Sequence, residues 1–314
     1  MKQWIGAIET GGTKSLAALA DRRGEVMFLP PEAGCNPQDG PEWEGRLRAL
    51  MAAMARHGAL EQVVIGIAGF AEVPTLDTAV LAVVAEGLGP QASVMNDVAL
   101  SFHAAFGHGP GVLVLAGTGS MAMARGDGDI ARTGGWGDLV GDEGSAFWIG
   151  QRALKLAARA LDGQGGDADF ARALMARLGE GDDPGAPLRW VMAARERSAI
   201  AGVARHVDAL AETGQATAVA ILQRGAGHLA RQARGAARLA GLGAPLPWSA
   251  AGSVVMRCRT LAAALAEELG APPVPARFNG LGGGLWLAAE RAGWATGGAW
   301  STRIGAATRA WGAL

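Results

Sequence analysis

The chain has 314 residues, half of them apolar and 18% charged, with a formal net charge of −1. That is enough apolar material for the cores of two domains, and the balanced charge argues against nucleic acid or an acidic membrane as partner. The longest apolar runs are broken by glycine or charge well short of a bilayer span. The stretch Met1–Glu9 is too short for a secretory leader, so a cytoplasmic protein is expected. Cys35 and Cys258 offer neither a disulfide framework nor a Cys-x-x-Cys metal spacing, and the five histidines show no ligand spacing either.

In chain order, Trp4 to Glu9 reads as a strand, and Ser15 to Ala20 as the strand returning from it. Between them lies Glu9-Thr10-Gly11-Gly12-Thr13-Lys14, a glycine turn that carries a hydroxyl and an ammonium. Glu25 to Leu29 is a third strand candidate. Trp43 to Arg56 places Leu47, Leu50, Met51 and Met54 at helical spacing. Val63-Val64-Ile65-Gly66-Ile67-Ala68-Gly69 reads as a buried parallel strand. A helix over Leu76 to Leu88 and a strand over Ser93 to Met95 follow. Asn96-Asp97 stands at the carboxyl end of that strand, and Asp97 could cap a helix over Val98 to Phe106. Strands alternating with helices give an α/β class with ligands at the strand ends.

Gly107-His108-Gly109-Pro110-Gly111 marks a boundary, and the densest glycine signal of the chain follows it. Val112 to Ala116 reads as a strand, Gly117-Thr118-Gly119-Ser120 as a turn, and Met121 to Arg125 as the returning strand. This second hairpin resembles the first in its chemistry: backbone N–H groups and a threonine hydroxyl at a concave tip suit a phosphate oxygen. An internal duplication would produce two such units. Gly134-Gly135-Trp136-Gly137 and Gly141-Asp142-Glu143-Gly144-Ser145 then lead into a helix from about Phe147, which Asp142 or Ser145 could cap. Gln151 to Leu161, Phe170 to Leu178 and most of Ala199 to Leu242 are helical in pattern. A strand from Leu246 runs into Ala251-Gly252-Ser253 and a helix over Val255 to Leu269. Arg277-Phe278-Asn279 precedes Gly280-Leu281-Gly282-Gly283-Gly284 and a helix to Ala292, and the last residues suit one more helix.

Taken in order, Glu9 to Lys14, Ile67-Ala68-Gly69, Asn96-Asp97, Ala116 to Ser120 and Gly135-Trp136-Gly137 through Ser145 resemble the N-acetylglucosamine kinase branch of the BadF/BadG/BcrA/BcrD ATPase family, within the sugar kinase, actin and Hsp70 superfamily. Ala251-Gly252-Ser253 and Leu281-Gly282-Gly283-Gly284 resemble the adenosine-side turns of that family. The resemblance implies two ribonuclease H-like (actin-like ATPase) domains flanking a nucleotide and sugar cleft. The first would span residues 1–108, with a C-terminal helix of about 298–314 packing back on it; the second would span residues 109–297.

The resemblance also implies roles. Asp97 matches the catalytic base. Gly11, Gly12, Thr13 and Lys14, with Gly117, Thr118 and Gly119, match positions on the ATP phosphates, and Ala201, Gly252 and Ser253 lie on the adenosine side. Asn36, Gly135, Trp136, Gly137 and Asp142, together with Asp97, match sugar contacts. Glu9 takes the place of an aspartate that holds Mg²⁺ through water in most of the superfamily. The implied reaction is ATP-dependent phosphorylation of an amino sugar, N-acetylglucosamine to its 6-phosphate, by a cytoplasmic homodimer using ATP and Mg²⁺. Glucosamine is the alternative acceptor. An ATPase activator of a CoA-ester dehydratase or reductase is a second alternative, disfavoured because that group holds an iron–sulfur cluster through cysteines that this chain lacks. The residue types suit phosphoryl transfer, in which positioning and charge neutralisation do most of the work.

Overall fold

The computed structural model describes residues 3–11, 14–194 and 196–312, which fall into two compact units. The first unit begins with β1 (Gln3–Thr10), β2 (Lys14–Ala20), β3 (Val26–Phe28) and β4 (Glu32–Ala33). It continues with α1 (Glu42–Ala55), β5 (Ala59–Ile67), α2 (Pro74–Leu88), β6 (Ala92–Asn96) and α3 (Asp97–Phe106). The sheet order is β3-β2-β1-β5-β6, with β4 pairing on β2. The β1–β2 and β2–β3 pairs are antiparallel, whereas β1–β5 and β5–β6 are parallel.

Period-two alternation divides these strands between two cores. Trp4, Ile8, Val63, Ile65 and Ile67 face α1 and α2, while Ile5, Ala7 and Val64 face the opposite side with α3. Both sides are covered, and this explains why Val63 to Ile67 is apolar throughout rather than alternating. Pro74 opens α2 at a position where its missing N–H leaves no bond unmade.

The second unit, Pro110–Val274, carries β7 (Gly111–Ala116), β8 (Ser120–Arg125) and β9 (Ala131–Gly134). Helices α4 (Ala146–Leu161), α5 (Ala168–Arg177), α6 (Ala186–Ala193), α7 (Arg197–Gly202), α8 (Ala204–Glu212) and α9 (Ala216–Leu239) follow. Then come β10 (Trp248–Ala251), α10 (Ser253–Arg257) and α11 (Arg259–Leu269). The sheet order is β10-β7-β8-β9, with β10 parallel to β7. The long α9 buries a small-residue face, Ala226, Ala230, Ala233 and Ala237, in the same core as Val112, Val114, Ala122 and Ala124.

The chain then returns to the first unit as α12 (Gly280–Arg291) and α13 (Gly298–Gly312). This changes two expectations. Residues 275–297 pack with the first unit rather than the second, because Leu281, Leu285 and Ala288 of α12 share the core of Ile5, Ala7 and Leu100. Leu281 to Gly284, expected as an adenosine-side turn, is instead the first turn of α12, capped by the Asn279 side chain accepting from the Gly282 N–H at 2.9 Å. Those glycines let the helix lie close to β1 and α3: a Cβ at Gly284 would meet Ala7 at 2.8 Å, and one at Gly283 would meet Ala104 at 2.6 Å.

Candidate functional site

In the first unit, the expected catalytic residue sits where β6 passes into α3. Asn96, not Asp97, is the N-cap: its Oδ1 accepts the Val98 N–H at 2.9 Å, and its Nδ2 donates to the Phe70 carbonyl at 3.0 Å. Asp97 is therefore the first helical residue, with its Oδ1 also within 3.0 Å of the Val98 N–H. Burial, and then the neighbouring Glu9 carboxylate, push the Asp97 carboxyl up to about 7. A carboxyl near neutrality in a partly shielded site can hold and release a proton at working pH.

Glu9 lies near the carboxyl end of β1, against the N-terminus of α12. Burial raises its carboxyl above the usual range, opposed by the Leu281 N–H that donates to it and by the Lys14 ammonium. The positive end of α12 thus offsets part of the cost of holding this acid among protein atoms. Gly11 closes the β1–β2 turn, donating to the Lys14 carbonyl at 3.0 Å. Gly12 and Thr13, expected at the phosphates, lie outside the described residues. Beneath the turn, Thr10 Oγ1 accepts from the Ser15 hydroxyl at 2.6 Å and from the Cys35 N–H at 2.8 Å. Cys35 is buried in that cluster, and the adjoining Asn36 caps a short 3₁₀ turn by accepting from the Gln38 N–H at 3.0 Å. Asn36 Oδ1 also faces Gly69, the residue that ends the β5 strand signal. Asn36, Gly69, Asn96 and Asp97 thus gather at the carboxyl ends of β5 and β6, where open α/β sheets bind ligands.

In the second unit, the β7–β8 turn holds Gly117, Thr118 and Gly119. The Gly117 N–H donates to the Gly119 carbonyl at 2.9 Å, and the Ala146 and Phe147 N–H groups of α4 donate to the Gly117 and Thr118 carbonyls at 2.8 and 3.3 Å. The turn's carbonyls and the Gly117 N–H are occupied, so the Thr118 and Gly119 amides are the groups left for an anion. Ser145 caps α4, with its Oγ accepting the Trp148 N–H at 3.2 Å, and this decides between the two candidate caps.

Asp142 has another position. It is 2% exposed with φ +58°, its Oδ1 accepts the Ser120 N–H at 3.1 Å, and its Oδ2 is ion-paired with Arg197. The resemblance placed Asp142 on the sugar; in the structure its carboxylate is engaged within the unit and braces the Gly117–Ser120 turn. Arg197 itself carried no sequence signal, lying 55 residues away in a helix with no motif. The exposed counterpart is Trp136. Its ring is 66% exposed between Gly135 and Gly137, both left-handed at φ +72° and +78°, and the Arg132 guanidinium stands 5.4 Å from its centroid.

Thr118, Ala201 and Ser253, drawn from three distant segments, line one cavity of about 310 Å³ in this unit. Gly252, between the end of β10 and Ser253, packs against the Ala116 carbonyl. That volume falls at the small end of ligand pockets, roughly 300–1,000 Å³.

A model of the BadF/BadG/BcrA/BcrD ATPase family matches residues 7–272. The chain belongs to this family. Among curated relatives, an N-acetylmuramic acid/N-acetylglucosamine kinase of Clostridium acetobutylicum is 35% identical over 176 residues, 52% of this chain and 56% of the relative. The match therefore spans little more than half of that relative's length. A Chromobacterium violaceum protein assigned as an N-acetylglucosamine kinase has a similar structure, with TM-score 0.71 at 24% identity over 91% of this chain and 98% of that one. A ROK glucokinase of Streptomyces griseus, solved with glucose and AMPPNP, aligns at TM-score 0.55 and 16% identity over 98% and 99% of the two chains. These likenesses establish the fold: two α/β units of the actin-like ATPase class. No helix among the described residues is long and apolar enough to cross a membrane.

Proposed function

We propose that this family member is an ATP-dependent amino-sugar kinase, acting on N-acetylglucosamine to give the 6-phosphate. The observation that carries the reading is Asp97: a partly shielded carboxyl at a strand end, pushed up to about 7, as a general base for a sugar hydroxyl requires. The hydroxyl oxygen attacks the γ-phosphorus, the bond to the β–γ bridging oxygen breaks, ADP leaves, and Asp97 takes the hydroxyl proton. Asn36 and the Gly135-Trp136-Gly137 loop bind the sugar, with the exposed indole offering its face to the pyranose ring. Gly11, Gly12, Thr13 and Lys14 of the first unit and Gly117, Thr118 and Gly119 of the second hold phosphates. Ala201, Gly252 and Ser253 adjoin the adenosine. Asp142 completes the sugar contacts, its carboxylate held in place by the Ser120 N–H and Arg197.

Among the described residues no group of three or more ligating side chains could hold a metal by itself. Mg²⁺ on a nucleotide needs only one or two carboxylates, with water and phosphate completing its shell. Glu9, a hard-oxygen donor whose burial is only partly compensated, fits as its water-mediated holder, and the ion would neutralise charge on the transferred phosphoryl group. The ATPase-activator alternative gains nothing from Cys35 and Cys258, each buried in a different unit. We place the protein in the cytoplasm as a homodimer, on the resemblance.

The test is ADP release with Mg-ATP against N-acetylglucosamine, glucosamine, glucose, N-acetylmannosamine and N-acetylmuramic acid. One strongly preferred amino sugar, with its 6-phosphate identified by NMR, is the expected result. ADP release independent of any sugar would overturn the kinase reading, and preference for glucosamine or the muramic acid would reassign the acceptor.

A further inference from the structure

Ser120 joins three loop segments of the second unit. Its N–H donates to Asp142 Oδ1 at 3.1 Å, its carbonyl accepts the Gly135 N–H at 2.9 Å, and its hydroxyl donates to the Glu143 carbonyl at 2.9 Å. A side chain from outside these loops reaches the same point. Gln232, on α9, donates from Nε2 to Ser120 Oγ at 3.3 Å, and the same nitrogen lies 3.5 Å from the Glu143 carbonyl. The amide also backs Gly134, where an added Cβ would stand 3.0 Å from Cδ and 3.1 Å from Nε2 and Oε1. The Gln232 carbonyl accepts the Thr133 hydroxyl at 2.7 Å. Because the Ser120 hydroxyl gives its proton to Glu143, both groups that face Nε2 are acceptors, and only the NH₂ end of the amide suits them. The other end carries the cost: Gln232 Oε1 is buried with no hydrogen-bond partner among the described residues. An orphaned acceptor lowers stability, and an apolar side chain of the same length would avoid it. Stability therefore does not explain a glutamine at this position.

We infer that Gln232 is a positioning residue: through Ser120, Glu143 and Gly134 it fixes the Gly117–Gly119 turn in register with the Gly135-Trp136-Gly137 loop. The inference rests on the proposed reaction, in which the turn holds phosphate and the loop holds the sugar. Phosphoryl transfer requires the attacking hydroxyl in line with the phosphorus, so the alignment of these two segments enters kcat more than either binding constant. The long α9 is a firm reference for both, because its small-residue face is buried in the core of the unit at Ala226, Ala230, Ala233 and Ala237.

Gln232→Met keeps the length and removes the donor, whereas Gln232→Glu keeps the shape and, when ionised, turns an acceptor towards the Glu143 carbonyl. Thermal melting, calorimetric binding of ATP and of N-acetylglucosamine, and turnover of the full chain compare both variants with the wild type. Gln232→Met should melt at or above the wild-type temperature and bind each ligand with near wild-type affinity. Its kcat should nevertheless fall roughly ten- to a hundred-fold, with more than one ADP released per sugar phosphate formed, and Gln232→Glu should lose at least as much. Wild-type kcat and one ADP per sugar phosphate in Gln232→Met would overturn the positioning role. A Gln232→Met protein that melts well below the wild type would overturn it too, by showing that the amide serves stability. Amide hydrogen exchange separates this inference from the kinase reading. If the wild type phosphorylates no sugar, that reading falls. Faster exchange in Gln232→Met confined to residues 117–121 and 134–143 would still uphold the bracing of those segments by Gln232, and unchanged exchange there would remove it.

Discussion

The carboxylate of Glu9 occupies the space that a side chain at Gly280 would need. A Cβ built on Gly280 overlaps Oε1 and lies 2.9 Å from Oε2, while the next residue, Leu281, donates its N–H to the same group. An acid on β1 and the first residue of α12 are therefore fitted to one another across most of the chain. Gly280→Ala should displace Glu9, lowering stability by about 1–3 kcal/mol and turnover by more than ten-fold. Urea unfolding and the ADP-release assay read the two effects. Wild-type behaviour in both would mean that the helix start shifts freely and Glu9 has no fixed position.

Asp97 should give the reaction its pH dependence. With the carboxyl at about 7, the ionised base forms as pH rises through neutrality, so kcat/KM for the sugar should climb between about pH 6 and 8 and then level off. Asp97→Asn should reduce turnover by at least a thousand-fold while leaving sugar binding measurable. A flat wild-type profile, or an active Asn variant, would take Asp97 out of the proton transfer.

The same shift predicts a stability trade-off. An aspartate titrates near 3.9 when unfolded and at about 7 here, so its protonated form favours the folded state. That contribution is fully present below pH 4 and is lost as pH rises to 7. Asp97→Asn, which stays neutral, should therefore stabilise the ligand-free protein at pH 8 by about 1–3 kcal/mol, with the gain vanishing near pH 4. Denaturant titrations at the two pH values decide it; a variant less stable at pH 8 would show that the site tolerates the charge.

Arg197 braces the second hairpin through Asp142, whose side chain is 3% exposed while that of Arg197 is 43% exposed. Removing the arginine strands a buried charge, but solvent reaches one side of the pair and reduces the cost. Arg197→Ala should lose about 1–2 kcal/mol and raise the KM for ATP more than that for the sugar. An equal rise in both constants would argue against a role specific to the turn.

Trp136 is 66% exposed, so Trp136→Ala should leave stability within about 0.5 kcal/mol. The sugar KM should rise roughly ten-fold, with the KM for ATP unchanged. An unaltered sugar KM would mean that the indole serves some other contact.

The sequence by itself determined the local elements: apolar runs of strand length, helical spacing from Leu47 to Met54, and the glycine–threonine turn between β7 and β8. Those signals are local, because backbone geometry and side-chain periodicity repeat within a few residues. Order and spacing of the motifs also carried the family. Tertiary structure alone decided three things. It put Arg197 on Asp142, an ion pair with no sequence period to announce it. It made Asn96 the cap, leaving Asp97 in the first helical turn where burial and Glu9 raise its carboxyl. It also returned residues 275–297 to the first unit, where α12 receives Glu9. Each depends on which distant surfaces meet, and a glycine run such as Gly280 to Gly284 reads as a turn until β1 and α3 are there to require a helix without side chains.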